Sequence, residues 1–339
     1  MKHPANIDIA VLILFFNRPD HLQEVFNEVK KARPSKLLLY QDGPRGEQDM
    51  AGIEACRKVV EDIDWECEVH RNYLKENQGC DPSGFRSHQW AFSLADKVII
   101  LEDDVVPSQS FFPFCKEMLD RYENDERISM IAGFNVDEIT PNCNDSYFFT
   151  SVFSIWGWAS WRRVAQRWDP TYGFMHHPET VQRLETIAKE KRLRSDMMQM
   201  FRDHSESGKE YFETIYWADM LLHDSLAIMP ACNLINNRGL TTDSTHFSGS
   251  IYTTPRAYRR IFTMQRHELE FPLRHPQQIV EDTTYKERLY KVNAWGHPWI
   301  KAGRSLEELW LNLRYGNFKH IRQAICNRFR KWTGKKKHA

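Results

Sequence analysis

The sequence predicts an α/β fold, in which a mostly parallel, twisted sheet carries helices on both faces. Over residues 7–104, four segments with the apolar pattern of buried strands alternate with three segments of helical periodicity. Strands that alternate with helices in this way form parallel sheets, because each helix returns the chain to the same end of the sheet. The chain has 339 residues, of which 41% are hydrophobic, which is enough for one large α/β domain or two smaller ones.

The first strand begins at Ile7 and is apolar nearly throughout, as expected of a parallel strand that is covered on both faces. After the turn Asn17-Arg18-Pro19, apolar residues recur at positions 22, 25, 26 and 29, which is the spacing of an amphipathic helix. The predicted strands of this half lie at 7–16, 36–41, 66–70 and 98–104, and the predicted helices include 22–29, 53–63 and 83–95.

Acidic residues follow two of these strands. Glu102, Asp103 and Asp104 come directly after the fourth strand, and Asp42 follows the second. Because parallel strands point one way, both strand ends lie at the sheet edge where α/β proteins bind ligands. Three adjacent carboxylates repel one another unless a cation compensates them, and Mg²⁺ or Mn²⁺ held by one or two carboxylates plus substrate phosphates fits this pattern. An acidic turn that faces solvent is the alternative.

Composition and missing motifs exclude several classes of protein. No Gly-x-Gly-x-x-Gly follows the first strand, which argues against a dinucleotide-binding site, and no phosphate-binding Gly-x-x-x-x-Gly-Lys-Ser/Thr occurs. The seven cysteines are scattered without a Cys-x-x-Cys, as suits a reducing compartment. Residues 1–4 lead into the first strand without a cleavage site, so we expect no signal peptide and a cytoplasmic protein.

The second half of the chain has a looser pattern. Strands are predicted at 128–133, 147–155 and 226–230, and helices at 178–204 and 210–223. Trp156, Trp158 and Trp161 place three indoles in six residues, ahead of a short predicted helix. The segment 233–247 is rich in polar and turn-forming residues, which is more typical of a binding loop than of a core element.

An ordered set of motifs resembles the GT-A glycosyltransferases, and among these the N-acetylglucosaminyltransferase I type and its bacterial relatives. The resemblance covers roughly residues 7–250. It implies a GT-A type fold that binds a nucleotide-diphosphate sugar. The motifs that carry it are Phe16-Asn17-Arg18-Pro19, Gln41-Asp42-Gly43, Trp90-Ala91, Leu101-Glu102-Asp103-Asp104, Gly157-Trp158, Tyr216-Trp217-Ala218-Asp219, Pro230 and the loop from Gly239 to His246.

The resemblance also implies roles for single residues around the nucleotide. Asp104 matches the direct metal ligand of the family, and Asp103 the residue that contacts the ribose. Glu102 matches the residue near the donor sugar. Asp42 matches the acid that contacts uracil, and Arg18 the basic residue beside the nucleotide. The donor is then expected to be UDP-linked, with Mn²⁺ or Mg²⁺ as the cofactor.

Asp219 matches the general base of the family, which would take the proton of the acceptor hydroxyl. Glu213 and Asp224 are rival bases, Asp169 is a more remote one, and a helix-surface role is the alternative for Asp219. His246 is a candidate for the remaining metal coordination or for the diphosphate, against the alternative of an ordinary surface histidine.

Trp156 and Trp158 are candidate acceptor residues, because flat indole faces match the C–H faces of sugars. Packing in the core is the alternative for each of them, and for at least one of the three indoles it is the better interpretation.

The C-terminal tail carries the charge asymmetry of the chain. Residues 309–339 contain nine Lys or Arg residues and no acid, although the whole chain has a net charge of zero. An apolar stripe runs through this tail, and the pattern indicates a helix that lies on an anionic membrane. Packing on the main domain is the alternative, and nucleic acid is not an expected partner. The stripe consists of Ile321, Ile325, Phe329 and Trp332.

Together these patterns predict a metal-dependent, inverting glycosyltransferase that acts on a glycan or lipid-linked acceptor in bacterial surface polysaccharide assembly, peripheral on the inner face of the membrane. The alternatives are a non-catalytic carbohydrate-binding or surface-interaction protein and a sugar-phosphate nucleotidylyltransferase. The expected parts are a transferase domain at 1–250 (nucleotide half 1–107, acceptor and catalytic half 108–250), an irregular extension at 251–305, and a basic amphipathic helical tail at 306–339.

Overall fold

The computed structural model describes residues 2–188, 191–240, 250–318, 320–323 and 326. Its strands are β1 (Ile7–Phe15), β2 (Pro34–Gln41), β3 (Glu68–Tyr73), β4 (Lys97–Glu102), β5 (Val105–Pro107), β6 (Ile128–Ala132), β7 (Tyr147–Thr150), β8 (Trp158–Trp161), β9 (Leu226–Pro230) and β10 (Ile235–Asn237). Its α-helices are α1 (Pro19–Ala32), α2 (Glu47–Val60), α3 (Cys80–Leu94), α4 (Phe111–Arg121), α5 (Arg162–Ala165), α6 (Pro178–Ile187), α7 (Lys191–Ser207), α8 (Phe212–Leu222), α9 (Arg256–Thr263), α10 (Thr283–Asn293) and α11 (Pro298–Arg314).

The main sheet has eight strands in the order β3-β2-β1-β4-β8-β6-β9-β7. Strands β3, β2, β1 and β4 pair in parallel, and so do β6 and β9. Strand β8 is antiparallel to both β4 and β6, so β6 runs in the direction of β4, and β7 is antiparallel to β9. The sheet is therefore mostly parallel and is flanked by helices, which confirms the predicted α/β fold class.

The parallel half forms because its strands are apolar enough to be covered on both faces. Val11, Leu12 and Ile13 of β1 have no exposed surface, and β1 is paired with a strand on each side. Helix α1 follows directly, with Pro19 in its first turn and an apolar face that is buried. It ends at Arg33, whose left-handed backbone conformation (φ 51°) turns the chain into β2.

The second half differs from the sequence prediction around the cluster of tryptophans. The predicted strand at 147–155 ends at Thr150. Two of the three tryptophans, Trp158 and Trp161, lie in a strand of their own, β8, which is placed between β4 and β6. Each residue of β8 is buried. The pairing partners of β8 are distant in sequence, so the local pattern gave no indication of this strand.

The segment at 251–305, which was expected to be irregular, contains α9, α10 and the first turns of α11. Tyr285 and Leu289 of α10 belong to the main hydrophobic core, together with residues of β1 and β4. A smaller cluster joins α6, α7 and α8. The proposed boundaries between the parts of the chain stay a prediction. Within the described residues, none of the helices is both long enough and apolar enough to cross a bilayer.

Candidate functional site

The register of the parallel strands brings the predicted acids to one edge of the sheet. Leu14 of β1 lies beside Glu102 of β4, and Phe15 lies beside Gln41 of β2. The turns that carry Arg18, Asp42 and Asp103 therefore leave the sheet next to one another. The expectation that both strand ends meet at the same edge is confirmed.

Arg18 is the cation at the centre of this edge. Its guanidinium contacts both carboxylate oxygens of Asp103 and donates a hydrogen bond to Asp104 Oδ2 at 2.9 Å. Burial lowers the pKa of Arg18, but attraction to Asp103 and Asp104 outweighs it, so the net pKa lies above the ordinary value. Arg18 is therefore charged and links two of the three carboxylates.

One guanidinium does not balance three acids. Burial raises the pKa of Glu102 well above its usual range, and repulsion from Asp104, Glu213 and Asp103 raises it further. Burial also raises the pKa of Asp103, although Arg18 opposes this. Glu102, Asp103 and Asp104, called here the acid cluster, thus form a region with excess negative charge. Such a region attracts a further cation.

A short antiparallel pair of strands lies next to Asp104. Strand β5 pairs antiparallel with β10, and the backbone N–H of Arg238 donates to the carbonyl of Asp104 at 2.7 Å. Gly239 lies so close that a Cβ atom there would be 2.7 Å from Asp104 Oδ2. Gly239, the first residue of the predicted binding loop that ends at His246, therefore lies beside Asp104. His246 lies outside the described residues, and its proposed role stays a prediction.

Asp42 organises a loop at the other side of β1. Its Oδ1 atom accepts hydrogen bonds from the backbone N–H groups of Gly43 and Gln78, each at 2.8 Å. Its Oδ2 atom accepts from the backbone of Gly79 at 3.1 Å and from the Asn77 side chain at 3.0 Å. A nucleobase that bound Asp42 would replace one of these four donors, so the predicted uracil contact stays a prediction.

A second buried acid holds the turn that carries Arg18. Asp49 of α2 accepts a hydrogen bond from the Asn17 side chain at 2.8 Å and pairs with Arg45 through two hydrogen bonds of 2.7 and 2.9 Å. Hydrogen bonds from Arg45 outweigh burial and lower the pKa of Asp49 to about 2. Asp49 therefore positions Arg18 through its neighbour Asn17.

An aromatic cavity of about 250 Å³ lies beside α8. Trp156, Trp217 and Trp295 line it, and the last two indoles stack with centroids 5.2 Å apart. Glu213, in the first turn of α8, also lines the cavity, and its charge contributes to the raised pKa of Glu102. Glu213 therefore belongs to the cavity lining and also acts electrostatically on the acid cluster. An apolar cavity with few polar groups is the usual form of a small-molecule site.

Asp219, the predicted general base, does not line this cavity. Its buried carboxylate receives two hydrogen bonds from Arg167, at 3.1 and 2.8 Å. His223 Nδ1 lies 3.1 Å from Asp219 Oδ1. Both oxygens are thus engaged within the protein, and this arrangement favours a structural role. The assignment of Asp219 as the general base stays a prediction. The geometry favours Glu213 as the alternative base.

The two candidate acceptor indoles have different positions. Trp156 is partly exposed, lines the cavity and packs edge-on against Phe134 with centroids 4.8 Å apart. Trp158 is 1% exposed and packs against His88 and Phe212 in the core. Trp158 therefore has no free face for a sugar, and the acceptor prediction for it is corrected to core packing. The role of Trp156 stays a prediction.

Sequence reasoning named several of these residues without their partners. Asn77 and Arg167 were not singled out, because they act through acids that are distant in the chain. Glu213 was only a rival base, since a carboxylate in the first turn of a helix is common. In the described part of the chain, no group of three or more His, Cys, Asp or Glu side chains is arranged to hold a metal ion.

Comparisons with known proteins give little beyond this geometry. No family model matches the chain, and no curated protein matches it. Among solved structures, the chain is similar to mouse xyloside xylosyltransferase 1 in its apo form, at 13% identity over 65% of this chain and 84% of that chain, with a TM-score of 0.37. It is also similar to the inositol-1-phosphate CTP transferase from T. maritima, at 13% identity over 48% of this chain and 74% of that chain, with a TM-score of 0.29.

Both proteins are transferases by name, and neither is of the N-acetylglucosaminyltransferase I type. With TM-scores below 0.5, these similarities carry no argument for the function of this chain. The fold class rests on the sheet itself, which is an α/β sheet with an acid cluster at the carboxyl end of a central strand.

Proposed function

We propose that the protein is a glycosyltransferase that moves a sugar from a nucleotide-diphosphate sugar to a glycan or lipid-linked acceptor, with a divalent cation as the cofactor. The observation that carries the proposal is the acid cluster, which has excess negative charge at the carboxyl end of β4. The ordered motifs support a UDP-linked donor and inversion at the anomeric carbon. A role in bacterial surface polysaccharide assembly is part of the same proposal.

The residues of the acid cluster fit a hard divalent cation. Their donors are carboxylate oxygens, which Mg²⁺ and Mn²⁺ prefer, and such ions in transferases are held by one or two carboxylates plus substrate phosphates. Asp104 is the proposed ligand, because it is more exposed than Asp103 and lies beside the backbone of Gly239. When bound, the cation neutralises the charge that develops on the diphosphate leaving group.

Arg18 supplies the fixed part of this positive charge. It holds the Asp103 carboxyl group in place, and Asn17 and Asp49 hold the turn that carries Arg18. A diphosphate near Asp104 would also lie within the field of the Arg18 guanidinium. Arg18 therefore orients the carboxylates and favours an anionic substrate at this edge.

Glu213 is the proposed general base. An acceptor sugar in the aromatic cavity would lie against Trp156 and next to the Glu213 carboxylate. On that geometry, Glu213 takes the proton of the acceptor hydroxyl as the oxygen attacks the anomeric carbon and the bond to the diphosphate breaks. Positioned carboxylates of this kind contribute about 10²–10⁴-fold to a rate.

Thermal stabilisation by nucleotides tests the proposal directly. We expect one nucleotide among UDP, GDP, ADP and CMP to raise the melting temperature with Mn²⁺ or Mg²⁺, and the effect to disappear with chelator. A ligand at about a hundredfold excess over its Kd adds about 2.7 kcal/mol to the free energy of unfolding. Asp104→Asn should abolish the shift.

Asp96→Asn is the matched control, because Asp96 lies just before the opposite end of β4 and forms an exposed ion pair with Arg162. That variant should keep the full nucleotide shift. No shift for any nucleotide in the wild type, or an undiminished shift in Asp104→Asn, would contradict the proposal. Glycan binding without nucleotide binding would favour a carbohydrate-binding protein instead.

A further inference from the structure

Helix α11 presents an uncharged, apolar face to solvent. Seven uncharged residues among the exposed ones of this helix lie three or one positions apart, and this spacing places them on a single face. The face includes side chains as exposed as Trp299 (87%), Leu306 (68%) and Trp310 (54%). We call it the outer face of α11, and it consists of Trp299, Ala302, Gly303, Leu306, Leu309, Trp310 and Leu313.

The opposite face of α11 already packs on the protein. Leu311 and Asn312 are buried, and Asn312 accepts a hydrogen bond from the Asn317 side chain at 2.8 Å. The Arg304 guanidinium lies 4.2 Å from the ring centroid of Tyr258 and donates to the carbonyl of Val292. The helix is therefore anchored in the fold through one face. Its outer face takes no part in that packing, and exposed apolar patches of this kind mark interaction sites.

The charges around this helix are segregated. Glu307 accepts a hydrogen bond from the backbone of Arg256 at 2.8 Å, and Glu308 pairs with His320 at 3.1 Å, so both acids are engaged by neighbouring segments. From residue 309 to the end of the sequence the chain has nine Lys or Arg residues and no acid. An apolar face thus leads into a strongly basic segment.

We propose that the outer face of α11 docks on an anionic lipid bilayer, with the helix lying in the plane of the interface. Tryptophan side chains favour the boundary between headgroups and acyl chains, and the leucines between them would enter the apolar layer. The positive charge of the residues that follow in the sequence would add electrostatic attraction to anionic headgroups. A second copy of the chain would instead bring two basic segments together without any acid in them to offset the charge.

This surface overlaps the predicted tail at 306–339 in Leu306, Leu309, Trp310 and Leu313, but it begins at Trp299 within a folded helix. Of the predicted apolar stripe, Ile325, Phe329 and Trp332 lie outside the described residues, and its role stays a prediction. Docking of this face on a membrane does not depend on the proposed glycosyl transfer. It concerns a face that is separate from the acid cluster and from the aromatic cavity.

Vesicle flotation tests this docking surface. We expect the full-length wild type to float with vesicles of phosphatidylcholine and phosphatidylglycerol, and much less with phosphatidylcholine alone. The double variant Leu306→Glu with Trp310→Glu should bind at least about tenfold more weakly, because each charge would have to enter the apolar layer. Val280→Glu is the matched control, because Val280 is equally exposed (64%) and lies outside α11.

The substituted side chains are exposed, so all variants should keep the melting temperature of the wild type, and that equality is checked first. Replacing Lys335, Lys336 and Lys337 by Gln should weaken binding to the anionic vesicles only. Flotation that is unchanged in the double variant would overturn the proposal. So would the absence of flotation together with a concentration-dependent dimer that the double variant abolishes, since the face would then join two copies of the chain.

Discussion

The acid cluster and Asp219 are both buried acids, but their surroundings are opposite. Three carboxylates of the cluster share one guanidinium, and burial together with mutual repulsion raises the pKa of Glu102. Asp219 alone receives two hydrogen bonds from Arg167 and lies 3.1 Å from His223. The acid cluster has too few positive charges to balance its carboxylates, whereas the carboxylate of Asp219 is balanced by its neighbours.

This difference shows that burial of an acid does not by itself indicate a functional site. A carboxylate whose charge is matched inside the protein stabilises the fold and has no capacity left for a ligand. Carboxylates with unmatched charge destabilise the fold and are retained where a ligand supplies the missing charge. On this distinction we expect Asp219 to have a structural role and the cluster to belong to the site.

Turnover should give the largest difference between the two regions. We expect Glu213→Gln, beside the cluster, to lower the release of UDP from the UDP-sugar substrate by about 100-fold or more, because the amide cannot accept the acceptor proton. The nucleotide-induced rise in melting temperature should persist, since Glu213 is not a proposed nucleotide contact. Release of UDP is measured with a panel of UDP-sugars.

Asp219→Asn is the counterpart in that experiment. Its folded fraction should turn over at a rate near that of the wild type. The opposite pattern, with Asp219→Asn inactive at full stability and Glu213→Gln active, would return the role of general base to Asp219, as the sequence motif implies.

The free energy of unfolding should respond more strongly to a change at Asp219 than to a change at Glu213 beside the cluster. Asp219→Asn should lower the free energy of unfolding by about 3 kcal/mol, because it leaves the Arg167 guanidinium, whose side chain is only 23% exposed, without its carboxylate. Urea unfolding of the nucleotide-free protein measures this change. The double variant Asp219→Leu with Arg167→Met should recover most of the loss, since it removes both charges together. An unchanged free energy in Asp219→Asn would show that the ion pair does not hold α8.

The parallel half of the fold follows from local patterns in the sequence. An apolar run followed by a polar turn determines where β1 and β4 end, and parallel pairing then collects Arg18, Asp42 and the acid cluster at one edge. The second half depends on distant partners. The sequence pattern of residues 156–161 is compatible with a surface loop as well as with a strand. Trp158 is buried because its strand pairs with both β4 and β6.

The choice between the two acids of α8 shows the same limit. Helical periodicity indicates that Glu213 and Asp219 point in different directions, but it does not indicate which charged side chain pairs with Asp219. That information lies in Arg167, which is 52 residues away from Asp219 in the chain. Sequence reasoning therefore finds a charge at a strand end more readily than it finds the charge that cancels it.

The smallest expected effect is a gain in stability. Glu102→Gln should raise the free energy of unfolding by about 1 kcal/mol in the nucleotide-free protein with chelator present, because it keeps the size of the side chain and removes a carboxyl group whose ionisation is opposed by burial and by the neighbouring acids. The same change should weaken stabilisation by the nucleotide and cation. Asp96→Asn at the opposite end of β4 provides the control, and its exposed ion pair should leave the free energy of unfolding within about 0.5 kcal/mol of the wild type. If Glu102→Gln were instead less stable than the wild type, Arg18 would suffice to balance the cluster, and the contrast with Asp219 would no longer identify the site.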